Sequence, residues 1–202
     1  MCIRDSYADT RIVEEHFESA RRWVDYVHGR NPGLLWERAL GDNFNDWLNG
    51  DTIVMDGWPR KGGAVPPRVL ATAFFANSAR IVSKMAAVIG RADDSEKYGR
   101  LFEGIKAAFN RRYVKPDGRI EGNTQAGYAL ALQFDLLPDD VRPAAARHMV
   151  EEFKRYDGHM STGIQTSHRL MLELTRNGYN AEAYRLLNLR TFPSWGFMAE
   201  QG

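Results

Sequence analysis

Five side chains in four separate loops carry groups that suit the binding of a neutral, hydroxyl-rich ligand. They are Asp46, Trp47, Gln125, His159 and Trp195. A tryptophan ring can cover an apolar C–H surface, whereas carboxylate, amide and imidazole groups form hydrogen bonds with hydroxyls. A sugar presents both kinds of surface. The sequence therefore predicts a carbohydrate-binding site.

Each of these side chains also has a purely structural interpretation. A loop tryptophan commonly fills a hydrophobic gap, which applies most to Trp36 and Trp58. Asp46 equally fits an Asx turn, and His159 equally fits packing within its own loop. Thr124 fits a helix N-cap better than a ligand. Both interpretations stay open for Asp46 and His159.

Composition argues against several other functions. A formal net charge of +1 is not that of a nucleic-acid binder. The single cysteine, Cys2, leaves no disulfide framework or cysteine metal site, and the histidines have no metal-ligand spacing. No cofactor-binding glycine loop occurs, and no segment approaches the roughly 18 consecutive apolar residues of a membrane helix. We therefore expect no metal, cofactor, nucleic acid or membrane as a partner.

These candidate residues must be positioned by helices, because the apolar pattern predicts about seven helices and no strand of useful length. The predicted ranges are 9–28, 67–89, 93–113, 125–136, 139–156, 162–177 and 180–189. Apolar helices alternate with helices that carry a charged face. This pattern favours an all-α protein of antiparallel hairpins, either a solenoid or a closed toroid. The tetratricopeptide pattern is missing, which favours the toroid.

Hairpins return the chain to the end that it left, so loops separated by two helices should lie at the same end. The loops that carry the candidate residues form one such set: 45–50, 121–125, 158–163 and 192–196. The other set holds ordinary caps and helix breakers: 90–94, 136–140 and 176–180. We therefore expect the unusual chemistry to gather at one end of the helical array.

Four stretches carry a family resemblance. They are "NDWLN" (45–49), "VLATAFFANSARIVSKMAAVIGRADDSEKY" (69–98), "GNTQAGYALAL" (122–132) and "STGIQTSHRLMLELTRNGYNAEAYRLL…FPSWGFM" (161–198). Together they resemble the catalytic domain of bacterial α-L-rhamnosidases, family 78 of the glycoside hydrolases. The last stretch is the most specific. Asn45 departs from the pattern, because the family usually has glycine there.

The resemblance implies a partial (α/α)6 toroid and the release of terminal α-L-rhamnose with inversion of configuration. It also implies that Trp47 packs beside the sugar and that Asp46 matches the family's aspartate. An inverting hydrolase needs two carboxyl groups, one as general acid and one as general base. By the resemblance, the acid lies upstream of residue 1 and the base just after Gly202. No catalytic residue is then expected within 1–202.

Residues 1–6, "MCIRDS", resemble a sequencing or assembly artefact, because they join a helix without signal-peptide character. We expect residues 7–202 to be a catalytic domain truncated at both ends. Such a chain should be inactive alone. It should also aggregate or form a molten state, because Phe74 and Phe75 would face an unfilled centre.

Two alternatives to a rhamnosidase stay open at this stage. One is another six-hairpin carbohydrate hydrolase, related to fucosidases or glucoamylases. The other is a non-catalytic helical scaffold that binds a peptide, which would present a groove along concave helix faces rather than chemistry at one end.

Overall fold

The computed structural model describes residues 9–38, 41, 44–53 and 62–202. Within them lie eight α-helices: α1 Arg11–Arg30, α2 Pro67–Val88, α3 Ala92–Tyr113, α4 Gln125–Gln133, α5 Arg142–Glu151, α6 Ser167–Arg176, α7 Asn180–Asn188 and α8 Trp195–Gln201. Two 3-10 segments, Gly50–Thr52 and Glu152–Tyr156, complete the regular structure of these residues. Among the same residues, the one β-type contact is an isolated antiparallel bridge between Val114 and Ile120. The all-α class is confirmed.

The first four helices begin close to where the sequence predicted. Pro67 opens α2, and Gly90 follows its end with a φ of +75°, a conformation that glycine adopts without strain. Thr124 caps α4 by accepting a hydrogen bond from the Gly127 N–H, as expected. The helix predicted over 139–156 is α-helical only over Arg142–Glu151, and its last five residues form the 3-10 segment Glu152–Tyr156. The helix predicted from residue 162 begins at Ser167. Helix α8 was not predicted.

The described chain divides into two compact units. The first comprises residues up to Gly41 together with Ala71–Phe109. Its core includes Phe75, which is 1% exposed and whose ring centroid lies 6.3 Å from that of Trp36. The expectation that Phe75 faces an unfilled centre is therefore wrong, because Trp36 covers it. Phe74 is half-buried.

The second unit comprises Asp42–Leu70 and Asn110–Gly202, and it holds all five candidate residues. Helix α4 is its centre, packing against both α5 and α6. Every residue from Gln125 to Leu132 is buried. Burying a leucine side chain stabilises a fold by about 1.5–3 kcal/mol, so α4 is a firm support for the loop that precedes it. No helix of the described residues has the length and apolar character needed to cross a membrane.

Candidate functional site

The turn that carries Trp47 runs beside the loop that precedes α6. The Gly50 N–H donates to the Ser161 carbonyl over 2.8 Å, and the Ile164 N–H donates to the Trp47 carbonyl over 2.8 Å. At Gly163 the two backbones approach so closely that a β-carbon would lie 2.2 Å from the Trp47 carbonyl oxygen. A side chain at position 163 would therefore force the backbones apart.

Asp46 is fully buried and binds this second loop. Its Oδ2 accepts a hydrogen bond from the Gly163 N–H over 2.7 Å and another from the Thr166 hydroxyl. Its Oδ1 has no hydrogen-bond partner among the described residues. Burial raises the pKa of Asp46, although the hydrogen bonds from Thr166 and Gly163 act in the opposite direction. Asp46 thus anchors the loop, and its contact with substrate stays a prediction.

Gln125 ties α4 to the same loop through both ends of its amide. Its Oε1 accepts from the Ser161 N–H over 2.9 Å, and its Nε2 donates to the His159 carbonyl over 3.1 Å. The side chain is 0% exposed. The predicted role as a direct sugar ligand stays a prediction, since the amide faces protein in this structure.

His159 is also buried, and it links the loop to the segment before α8. Its Nδ1 lies 2.9 Å from the Tyr156 carbonyl oxygen, and its Nε2 lies 2.9 Å from the Thr191 hydroxyl. A carbonyl only accepts, so this geometry places a proton on Nδ1, and in the neutral ring Nε2 accepts from Thr191. These contacts connect the Trp47 turn, the start of α4, the loop before α6 and the segment before α8, so the prediction that these segments gather is confirmed. That they lie at one end of the helical array stays a prediction.

The two candidate tryptophans are the exposed members of this cluster. Trp47 is 52% exposed and Trp195 is 38% exposed. The Trp47 ring lies beside Phe44, with centroids 6.0 Å apart. Trp36 instead packs its ring against Trp23 and Phe75, as the gap-filling interpretation predicted. The prediction for Trp58, like the one for Cys2 and residues 1–6, falls outside the described residues.

A largely apolar cleft of about 470 Å³ opens between the Trp47 turn, the loop before α6 and the segment from the end of α7 to α8. Its lining includes Leu48, Met160, Thr162, Leu186, Phe192, Trp195 and Phe197. Trp195 also borders a second cleft, of about 910 Å³, between α6 and α7. The Trp47 ring does not line either cleft, so the structure brings the loops of the two tryptophans together without stacking the rings around one cavity.

Sequence reasoning missed Asp51, whose carboxylate gathers four donors. Its Oδ1 accepts from the Gly63 N–H over 2.9 Å and from the Tyr156 hydroxyl over 2.7 Å. Its Oδ2 accepts from the Gly62 and Ala64 N–H groups over 3.2 and 3.1 Å. Burial alone would raise the pKa of Asp51, but the bonds from Tyr156 and the amides outweigh burial and hold the pKa below its ordinary value.

A third carboxylate of this region, Glu152, is held in a similar way. It accepts from the Asn123 amide and lies 3.1 Å from Arg155 Nε. Burial raises the pKa of Glu152, while Arg155 and Asn123 lower it. Within the described ranges, no group of three or more His, Cys, Asp or Glu side chains is arranged to hold a metal ion.

The sequence matches the bacterial alpha-L-rhamnosidase 6 hairpin glycosidase domain over residues 3–202. The chain belongs to this family. Among its relatives is an alpha-L-rhamnosidase of Streptomyces avermitilis, 38% identical over 200 residues, a match that covers 99% of this chain and 18% of that protein. An alpha-L-rhamnosidase of Formosa agariphila is 29% identical over 199 residues, covering 96% and 20%.

Solved rhamnosidase structures have the same fold. The Streptomyces avermitilis alpha-L-rhamnosidase complexed with L-rhamnose matches with a TM-score of 0.85 at 37% identity, covering 96% of this chain and 17% of that one. The alpha-L-rhamnosidase from Dictyoglumus thermophilum matches with a TM-score of 0.83 at 27% identity, covering 96% and 21%. The predicted membership of the six-hairpin rhamnosidase family is confirmed. The chain spans about a fifth of the length of these relatives.

Proposed function

We propose that this chain is part of an inverting glycoside hydrolase that releases terminal α-L-rhamnose from rhamnosides. The observation that carries the proposal is the meeting of four loops around half-exposed Trp47 and Trp195, in a member of a rhamnosidase family. A relative of the same fold was solved with L-rhamnose. The chain contributes sugar-binding loops to the complete enzyme, meaning the full-length protein that contains these 202 residues.

Trp47 is the residue that we assign to the sugar. Rhamnose carries a methyl group in place of a hydroxymethyl group, so its apolar surface is large for a monosaccharide and suits an aromatic ring. The Trp47 ring is half-exposed, and its backbone is bonded to Ile164 on the neighbouring loop. Asp46, Gln125 and His159 anchor the same loops through buried hydrogen bonds. Trp195 offers a second half-exposed indole beside the cleft that the loops border.

Catalysis needs a pair of carboxyl groups about 6.5–9.5 Å apart, with one free to protonate the leaving oxygen and one to activate water. Three carboxylates of the loop region are held by protein groups: Asp46 by Gly163 and Thr166, Asp51 by Tyr156 and three amides, and Glu152 by Asn123 and Arg155. These contacts support the expectation, given by the family resemblance, that neither catalytic carboxyl group is Asp46, Asp51 or Glu152. By that resemblance, the general acid lies upstream of residue 1 and the general base just after Gly202.

The experiment compares the complete enzyme with the 202-residue chain, purified in the same way. Both are assayed with 4-nitrophenyl α-L-rhamnoside, α-L-fucoside and α-D-glucoside, and the anomer first released is identified by NMR. We expect turnover of the rhamnoside by the complete enzyme, release of the β-anomer, and none by the chain alone. Preference for fucoside or glucoside, retention of configuration, or hydrolysis by the chain alone would each reject part of the proposal.

A further inference from the structure

Asp51, Tyr156 and the amides of residues 62–64 form a compact arrangement, here called the clasp, directly after the Trp47 turn. The Asp51 carboxylate receives the Tyr156 hydroxyl at 2.7 Å and three backbone amides at 2.9–3.2 Å. Hydrogen bonds to an ionised carboxylate are roughly twice as strong as neutral ones. The clasp therefore binds the turn to a distant part of the chain.

The backbone around the clasp is shaped to receive the tyrosine. The Tyr156 side chain is 1% exposed. A β-carbon added at Gly50 would lie 2.8 Å from a ring carbon of Tyr156, and one added at Gly63 would lie 2.4 Å from its hydroxyl oxygen. Two glycines thus enclose one ring and place its hydroxyl beside Asp51.

Asn49 connects the clasp to the Trp47 turn. Its Oδ1 accepts from the Asp51 N–H over 3.0 Å, and its Nδ2 donates to the Asp46 carbonyl over 2.9 Å. Asn49 therefore links Asp51 to Asp46 across the turn. Leu48 has a φ of +61°, a left-handed conformation that is strained for a non-glycine residue. Such a turn persists only when surrounding contacts hold it.

We propose that Asp51 and Tyr156 are positioning residues for substrate binding, because the clasp holds the turn of residues 46–50 in the conformation that presents Trp47 to the sugar. The inference rests on the proposed function of Trp47. Neither Asp51 nor Tyr156 is assigned a contact with substrate.

The expected kinetic signature follows from population arithmetic. When the binding-competent turn is only partly populated, the apparent dissociation constant rises by the reciprocal of that population. Loss of the Tyr156 hydroxyl lowers the population in the free enzyme, whereas bound sugar restores the turn. KM should therefore rise about 3- to 10-fold, while kcat changes by less than about twofold.

The chain supplies a matched control for this experiment. Tyr98 is also buried, and its hydroxyl donates to Asp25 over 2.7 Å, the distance found between Tyr156 and Asp51. Tyr98 and Asp25 belong to the first compact unit. In the complete enzyme, Tyr156→Phe should raise KM for an aryl rhamnoside, and Tyr98→Phe should not. Equal KM changes in the two variants would overturn the proposal.

A double-mutant cycle tests whether the clasp acts through Trp47. In a Trp47→Ala background the ring to be positioned is missing, so adding Tyr156→Phe should leave KM unchanged within about twofold. The same 3- to 10-fold rise in both backgrounds would show that the clasp does not work through Trp47, and would reject the inference.

Amide hydrogen exchange gives a readout that is independent of turnover. Tyr156→Phe should speed exchange in the segments 46–52 and 62–64 of the complete enzyme, whereas Tyr98→Phe should not. Unchanged exchange, or faster exchange with unchanged KM, would overturn the inference. If Tyr156→Phe does not fold, Asp51→Asn is measured in its place with the same expectations. The unmutated enzyme is assayed first. Absence of rhamnoside turnover in that assay would reject the proposed function rather than the role of the clasp.

Discussion

The turn of Trp47 and the segment of Trp195 both present a half-exposed indole, but they are held very differently. Buried Asp46 and the clasp at Asp51 fix the first turn from both sides. Helix α8, which begins at Trp195, has no buried residue. The Ser194 hydroxyl before it donates to the Leu189 carbonyl over 2.7 Å.

This difference bears on how each ring would bind the proposed sugar ligand. Segments with few buried contacts open at low free-energy cost, whereas multiply anchored turns open only with larger rearrangements. A ring fixed in advance loses little conformational freedom when it meets a sugar. We therefore expect Trp47 to contribute more of the binding free energy than Trp195.

The largest expected effect compares two glycines at close backbone contacts. A β-carbon at Gly163 would lie 2.2 Å from the Trp47 carbonyl oxygen, and one at Gly196 would lie 2.3 Å from the Leu189 carbonyl oxygen. Gly163→Ala should lower the free energy of unfolding by about 3–4 kcal/mol, because it separates two loops whose backbones are hydrogen-bonded to each other. Gly196→Ala should cost less than about 1 kcal/mol, because exposed α8 can shift. Thermal and denaturant unfolding of the two variants of the complete enzyme measure these losses. Equal losses of unfolding free energy in Gly163→Ala and Gly196→Ala would contradict the comparison.

The next effect compares the rings themselves in the complete enzyme. Trp47→Ala should reduce transition-state stabilisation, calculated from kcat/KM, by about 1–3 kcal/mol. KM should rise as well, because contacts with the sugar are lost in both the ground state and the transition state. Its stability loss should stay well below the roughly 3–5 kcal/mol of a buried tryptophan, since Trp47 is 52% exposed. Trp195→Ala should have the smaller kinetic effect. A lowered thermal midpoint with unaltered kinetics would remove Trp47 from the site.

The smallest effect concerns the pH dependence of the two anchors. The pKa of Asp46 is raised by burial, so its charge destabilises the fold above its folded pKa and the penalty fades as pH falls through that value. Burial would raise the pKa of Asp51, but hydrogen bonds from Tyr156 and three amides outweigh burial and lower it. The ionised Asp51 therefore stabilises the fold above its unfolded-state pKa of about 3.9, and this stabilisation is lost as pH falls through its folded-state pKa.

Thermal midpoints between pH 3 and pH 7 test these signs. As pH is lowered from 7 to about 4, the wild-type midpoint should rise relative to the midpoint of Asp46→Asn. As pH is lowered further, from about 4 to 3, the wild-type midpoint should fall relative to the midpoint of Asp51→Asn. Parallel profiles for all three proteins would contradict the assignment of opposite shifts.

The sequence predicted the helices better than the directions of the loop side chains. Long periodic segments such as α1, α2 and α3 were predicted closely, because one apolar face extends over several turns. Helix α8 was missed because seven residues rich in aromatic and small side chains carry no period, although Ser194 was available as a cap.

The candidate residues lie in segments that contact one another, but Gln125 and Trp195 are the first residues of helices, and Gln125 and His159 are buried. Residue type cannot distinguish an amide that binds a sugar from one that binds a neighbouring backbone. Asp51 and Tyr156 were missed because 105 positions separate them, and no local pattern links partners so far apart. Phe75 was wrongly placed because the covering Trp36 comes from an irregular stretch without a period.

The long sequence separation of these contacts also sets an order of events during biosynthesis. At about 5–20 residues per second, some 5–20 seconds pass between synthesis of Asp51 and of Tyr156, 105 residues later. Gly163 and Thr166 follow Asp46 after 117 and 120 residues. Over that interval the nascent Trp47 segment remains without these partners, while the helices made before them can already begin to pack. The Trp47 turn therefore gains these anchors only after most of the 202 residues have been made.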